Sequence, residues 1–175
     1  ITEYMLLHTD LGAGLSKETI SHIALAAIMH DVGKIAIPDA ILNKPGRLTA
    51  DEFEIMKTHT VQGGLLLEKI PQMKEHAIFE YAYDIARHHH ERWDGRGYPD
   101  GLKGEENSIW AQIVSIADVY DALISKRVYK PAFAVEEALN MIAGGQCGTF
   151  NPALLDRFMS VEPKIRLLYE KGRKV

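Results

Sequence analysis

Apolar positions recur at helical spacing through most of the chain, and no segment of useful length shows the two-residue alternation of a half-buried strand. Residues 1 to 11 (Ile1, Tyr4, Met5, Leu7, Leu11) read as the tail of an amphipathic helix closed by the turn Gly12-Ala13-Gly14. Ser16 caps a second helix whose stripe Ile20, Ile23, Ala24, Ala27, Ile28 carries it to His30, with Gly33 just past its C-terminus. A short helix near Asp39 to Leu42 and the turn Asn43-Lys44-Pro45-Gly46 come next. Thr49-x-x-Glu52 is a capping box, opening a helix that carries Phe53, Met56, His59, Gly63, Leu66 and Leu67 toward the core.

Pro71 separates a further helix, about Met73 to His89, with the stripe Ile78, Ala82, Ile85, Ala86, His89. From Arg92 to Gly101 regularity stops, and the glycines, proline and aromatics there read as an ordered loop. Ser108 opens a long helix through Ile113, Ile116, Ala117, Tyr120 and Leu123. Helices at about Val135 to Ile142 and Pro152 to Met159 lead into a tail that is amphipathic and then basic from Val161. The pattern predicts one all-α domain over residues 1–175, a multi-helix fold that can bring helix-borne ligands together in its core.

Composition excludes several functions. With 46% hydrophobic and 25% charged residues the chain is ordinary globular material, and its net charge of -4 argues against binding a nucleic-acid polymer. One cysteine, Cys147, rules out an internal disulfide framework and a cysteine-rich zinc site, and reads as an inert residue of the Gly144 to Gly148 turn. No apolar run reaches the roughly 18 residues of a membrane span, and no signal-peptide pattern opens the chain. The expectation is a cytoplasmic protein with no membrane insertion. Because the chain opens at Ile1 in mid-pattern, it reads as part of a longer one that lacks its first turns.

The chemistry concentrates in histidines and carboxylates on apolar-patterned segments: His30-Asp31, His59, His88-His89-His90-Glu91, and Asp118 with Asp121. Imidazole plus carboxylate without thiolate is the ligand set of Fe, Mn or Zn hydrolytic sites. A single His-Asp pair could equally be a hydrogen-bonded core couple, and its recurrence at four places favours metal. Adjacent histidines on a helix point about 100° apart, so the triplet cannot serve one ion from a helix interior, although two of the three can at a helix end.

His30-Asp31-x-Gly33-Lys34 followed by His89-His90-Glu91-x-x-Asp94-Gly95-x-Gly97-Tyr98-Pro99 resembles the HD-GYP domain, a branch of the HD phosphohydrolase superfamily that degrades cyclic di-GMP. The resemblance covers nearly the whole chain. It implies a metal-dependent phosphodiesterase giving linear pGpG and in some cases GMP, attached to an upstream sensory or receiver domain. It implies metal ligands at His30, Asp31, His59, His89, His90 and Asp118, with Asp31 bridging two divalent ions, iron or manganese, or three ions where upstream ligands are supplied. Asp31 and Lys34 would be the catalytic pair, and Lys34, Arg127 and Lys130 would hold the substrate's phosphates or guanine. Glu91, Asp94, Gly95, Gly97, Tyr98 and Pro99 would shape the loop, Glu91 and Asp94 orienting imidazoles as well, and the loop face would meet GGDEF-domain proteins. Two alternatives carry different chemistry: a cyclic di-GMP receptor or GGDEF-docking module without turnover, and an HD hydrolase of another nucleotide. Departures from the pattern are the extra His88, Val128 in place of a common proline, and an upstream ligand position for which His8 stands about two turns too late.

Overall fold

In the computed structural model, residues 1–125 and 132–172 are described, with side chains as far as Leu168. Their helices are α1 (Thr2–His8), α2 (Lys17–Ile28), α3 (Asp39–Leu42), α4 (Ala50–Lys57), α5 (His59–Glu68), α6 (Pro71–Lys74), α7 (Phe79–His88), α8 (Ile109–Ile124), α9 (Val135–Ala143) and α10 (Pro152–Gly172). Short 3-10 turns occupy Asp10–Gly12, Val32–Ala36 and Gly104–Glu106, and among the described residues no strand forms.

The helix starts follow the capping chemistry. Ser16 accepts from the Thr19 amide, Ser108 from Ala111, and Thr49 with Glu52 makes both bonds of a capping box. Helix ends depart from the pattern in three places. α2 stops at Ile28, because the Met29 and His30 amides already turn back to Ala26 and Ala27, which leaves His30 and Asp31 in the turn beyond.

The helix expected to run from Thr49 past Leu67 breaks at Thr58, whose amide and hydroxyl both reach the Ile55 carbonyl. Of the side chains expected to face the core, Phe53 is left 47% exposed while His59 is 1% exposed, as six residues at 3.6 per turn set the two about 120° apart. α10 continues through Pro163 to Gly172 instead of ending near Met159. A proline inside a helix costs about 3 kcal/mol, and burying Phe158, Val161 and Ile165, at roughly 1.5–3 kcal/mol for a large apolar side chain, outweighs it.

α8 is the central element. Ile113, Ile116 and Tyr120 are fully buried against Met5, Ile23, Ile85 and Phe158 from the surrounding helices. Tyr120 donates to the buried Glu162 of α10 at 2.6 Å, and Arg166 neutralises that carboxylate at 3.1 Å. This frame holds Asp118 of α8 close to His30 in the turn after α2.

Candidate metal centre

Three segments converge on Asp31: its own turn after α2, the first residue of α5, and the C-terminus of α7. Nε2 of His59 and Nε2 of His89 lie 3.5 and 3.8 Å from Asp31 Oδ1. His30 Nε2 lies 3.4 Å from the other oxygen, Oδ2, and 3.9 Å from Asp118 Oδ1. Lys34 also pairs with Oδ2. One carboxylate thus faces two separate groups of donors.

The convergence depends on backbone contact. A Cβ on Gly33 would sit 1.9 Å from the His59 carbonyl oxygen and 2.4 Å from the Gly63 amide, so only glycine lets the Val32–Ala36 turn lie against α5. The sequence reading makes Gly33 a helix terminator; its place in the fold is this close approach.

His59, His89 and His90 each offer a ligand atom within 4.8 Å of the others, and His89 and His90 do so from just beyond the last turn of α7. Carbonyls fix the rings: His30 Nδ1 donates to Ala27 at 2.7 Å, His59 Nδ1 to Met56 at 2.7 Å and His89 Nδ1 to Ile85 at 2.9 Å. Since a carbonyl only accepts, each Nδ1 carries the hydrogen, and the Nε2 atoms of neutral His59 and His89 present lone pairs toward Asp31 Oδ1. Burial, with His30 and His59 nearby, pushes His89 down to about 3, and burial lowers His59 and His90 too. These imidazoles are neutral. Burial works against ionising Asp31, yet hydrogen bonds from His30 and Lys34 hold it well below the usual carboxylate range.

Asp31 Oδ1 is buried and has no hydrogen-bond partner. An anionic oxygen facing neutral nitrogen lone pairs is a costly arrangement, and a divalent cation among them would resolve it. The donor set, nitrogen and oxygen without sulfur, suits zinc, iron or manganese.

The motif loop is anchored beside this centre. Glu91, 2% exposed, accepts from the amides of Asp100, Gly101 and Leu102 at 2.7, 3.1 and 3.1 Å. Asp94 accepts from Arg96 and, at 2.8 Å, from Thr149. Both were expected to orient imidazoles as well as pin the loop, and these bonds go to the loop and its support. Gly95 turns with a φ of 77°, and a Cβ on Gly97 would press within 2.4 Å of Glu91 Cα. The Tyr98 ring stacks on His90 at 4.8 Å, burial raises its phenol's pKa, and half-buried Pro99 follows.

Other expected residues stand apart. His8 is exposed, with its ring 4.1 Å from Tyr4. His88 points away from the cluster, between Asp84 at 2.6 Å and Asp100 at 3.0 Å. Arg127 and Lys130 lie outside the described residues.

Two supporting residues escaped the sequence reading. Asp84 accepts from His88, Ser108 and the Trp110 indole, joining α7 to the cap of α8. Its spacing of four from His88 was the visible signal. Arg92 donates to the Glu91 and Cys147 carbonyls and to Ser115, bracing the loop from below, and nothing in the sequence marks it. A cleft of about 600 Å³ opens beside His30, Asp31, Asp118 and Asp121, within the range of small-molecule sites.

Residues 7–154 match the HD domain family. The chain is an HD domain of the HD-GYP branch. This HD-GYP domain is 42% identical over 160 residues to the cyclic di-GMP phosphodiesterase of Thermotoga maritima, covering 91% of this chain and 42% of that one. It is 40% identical over 143 residues to the 3'3'-cGAMP-specific phosphodiesterase 2 of Vibrio cholerae, covering 82% of this chain and 27% of the relative. The fold superposes on Bd1817 of Bdellovibrio bacteriovorus with a TM-score of 0.69 at 19% identity, over 93% of this chain and 50% of the other. The HD-GYP domain spans about a third to two fifths of the length of the curated relatives it matches.

Proposed function

We propose that this HD-GYP domain is a metal-dependent phosphodiesterase that opens cyclic di-GMP to linear pGpG. The observation that carries the reading is Asp31, whose two oxygens face different imidazole groups and whose buried Oδ1 lacks a hydrogen bond. Asp31 would bridge two divalent ions, iron or manganese, with His59, His89 and His90 on one and His30 and Asp118 on the other. When bound, such ions supply a water acidic enough to attack phosphorus near neutral pH and neutralise charge on the phosphate.

The chain's own residues do the positioning. Nδ1 bonds to carbonyls hold the imidazoles in place, so no reorganisation is needed when substrate arrives. Lys34, 38% exposed, extends from Asp31 toward solvent and meets an incoming phosphate as a compact charge. Attack breaks the phosphorus–3'-oxygen bond, and the leaving oxygen takes up a proton.

A second reading, hydrolysis of 3'3'-cGAMP, draws support from the relative named for that substrate. It uses the same centre and differs only in the base. A receptor without turnover is disfavoured by the neutral, preset imidazole cluster, and docking to a GGDEF domain through Tyr98 competes with the packing of that ring on His90. Metal-loaded protein assayed against cyclic di-GMP, 3'3'-cGAMP, pGpG and ordinary nucleotides tests the reading. Preferred cleavage of cyclic di-GMP is expected. Faster cleavage of 3'3'-cGAMP would establish the second reading, and binding without turnover would leave the receptor.

A further inference from the structure

Phe53 and Lys57, from the last two turns of α4, gather with Tyr98 beside His90. The Phe53 ring lies 6.4 Å from Tyr98 at 84° and remains 47% exposed. Lys57 Nζ is 5.7 Å from the centroids of both rings and is held by Glu54 at 2.8 Å. Tyr98 stacks in turn on His90, whose ring is 5.1 Å from His59. A continuous wall therefore runs from the imidazole cluster to a half-open phenyl ring, with an ammonium along it.

A lone exposed phenylalanine needs no explanation. One that is continuous with the proposed phosphoryl-transfer centre and flanked by a cation has what a nucleobase requires, a π-face for stacking and a donor for its carbonyl oxygen and ring nitrogen.

We infer that Phe53 and Lys57, with Tyr98, form a purine subsite that favours nucleotide diesters over small phosphodiesters. The inference rests on the phosphodiesterase reading above. Phe53 stacks on the base and Lys57 donates to its edge. A cyclic dinucleotide seated at Asp31 has two bases, so one occupies this wall while the rest of the molecule extends toward the cleft beside Asp118.

The test compares the parent with Phe53→Ala, Phe53→Trp and Lys57→Ala, with metal content measured for each. The reading is kcat/KM on cyclic di-GMP relative to methyl p-nitrophenyl phosphate. Phe53→Ala should lower that ratio on the order of tenfold, through KM, at parental metal content. Phe53→Trp should restore it, and Lys57→Ala should lower it less. A ratio unchanged in Phe53→Ala overturns the inference. Calorimetry with GMP and with inorganic phosphate decides the matter even if no cyclic dinucleotide is cleaved. Weaker GMP binding by Phe53→Ala with equal phosphate binding supports the subsite, and equal GMP binding overturns it. Absent turnover by itself overturns only the phosphodiesterase reading.

Discussion

On the Oδ1 side of Asp31, His59 and His89 are 1% and 0% exposed, neutral, and locked by carbonyls. On the Oδ2 side, the side chains of His30 and Asp118 keep 25% and 26% of their surface and border a cleft. The electrostatics differ as well. Burial lowers His30, but hydrogen bonding and charge from Asp31 and Asp118 raise its pKa overall, whereas the buried imidazoles all fall. On the proposed function the comparison teaches a division of labour: the closed side would be preset to hold an ion, and the open side would admit solvent and an anionic substrate.

The largest expected effect falls on the residue that belongs to both sides. Asp31→Asn should deplete metal throughout the centre and cut hydrolysis by more than the roughly hundredfold typical of losing an outer partner. Asp118→Asn should deplete only the open side. Elemental analysis separates the two, and a centre fully emptied by Asp118→Asn would break the comparison.

Gly33→Ala attacks the backbone contact that joins the sides, and should cost about 2–4 kcal/mol because its Cβ would overlap the His59 carbonyl at 1.9 Å. Gly63→Ala, 3.3 Å from Ala86 Cβ, should cost about 1 kcal/mol. Urea unfolding of the two variants measures the difference. Glu91→Gln, which weakens three amide bonds behind the centre, should lower stability by about 2 kcal/mol while metal is largely kept.

The smallest effect concerns Asp84. Burial raises its pKa, but His88 and Ser108 outweigh burial and hold the folded value below 3.8. A depressed carboxylate adds stability above its unfolded pKa and loses it as pH falls through the folded one. Asp84→Asn should therefore unfold more easily than the parent at neutral pH, by about 1 kcal/mol. The gap should narrow below pH 3.8, as thermal melts across pH would record.

Much of this was legible in the sequence because it is local. Ser16, Ser108 and the Thr49–Glu52 box state their helix starts within a few residues, and His59 faces inward as its spacing requires. Legibility failed where distant packing decides. Nothing within reach of Pro163 says that Glu162 will bond Tyr120 and carry α10 onward. The hydroxyl of Thr58 gives no local warning that it will end α4, and Gly33 looks like a stop until α5 is laid against it. The partition of the histidines was half visible: two of three at a helix end were expected, and His88 was the one left over for Asp84 and Asp100.

The motif loop hangs from residues 55 positions downstream, since Arg92 bonds the Cys147 carbonyl and Asp94 the Thr149 hydroxyl. The Trp93 amide adds a bond to the Thr149 carbonyl at 2.9 Å. During synthesis every histidine of the centre leaves the ribosome before the clasp for its loop exists. A nascent chain halted before Cys147 can gather its imidazoles and make the Glu91 bonds within the loop, yet it lacks the outer clasp on residues 147 and 149, so that clasp is the last part of the centre to set.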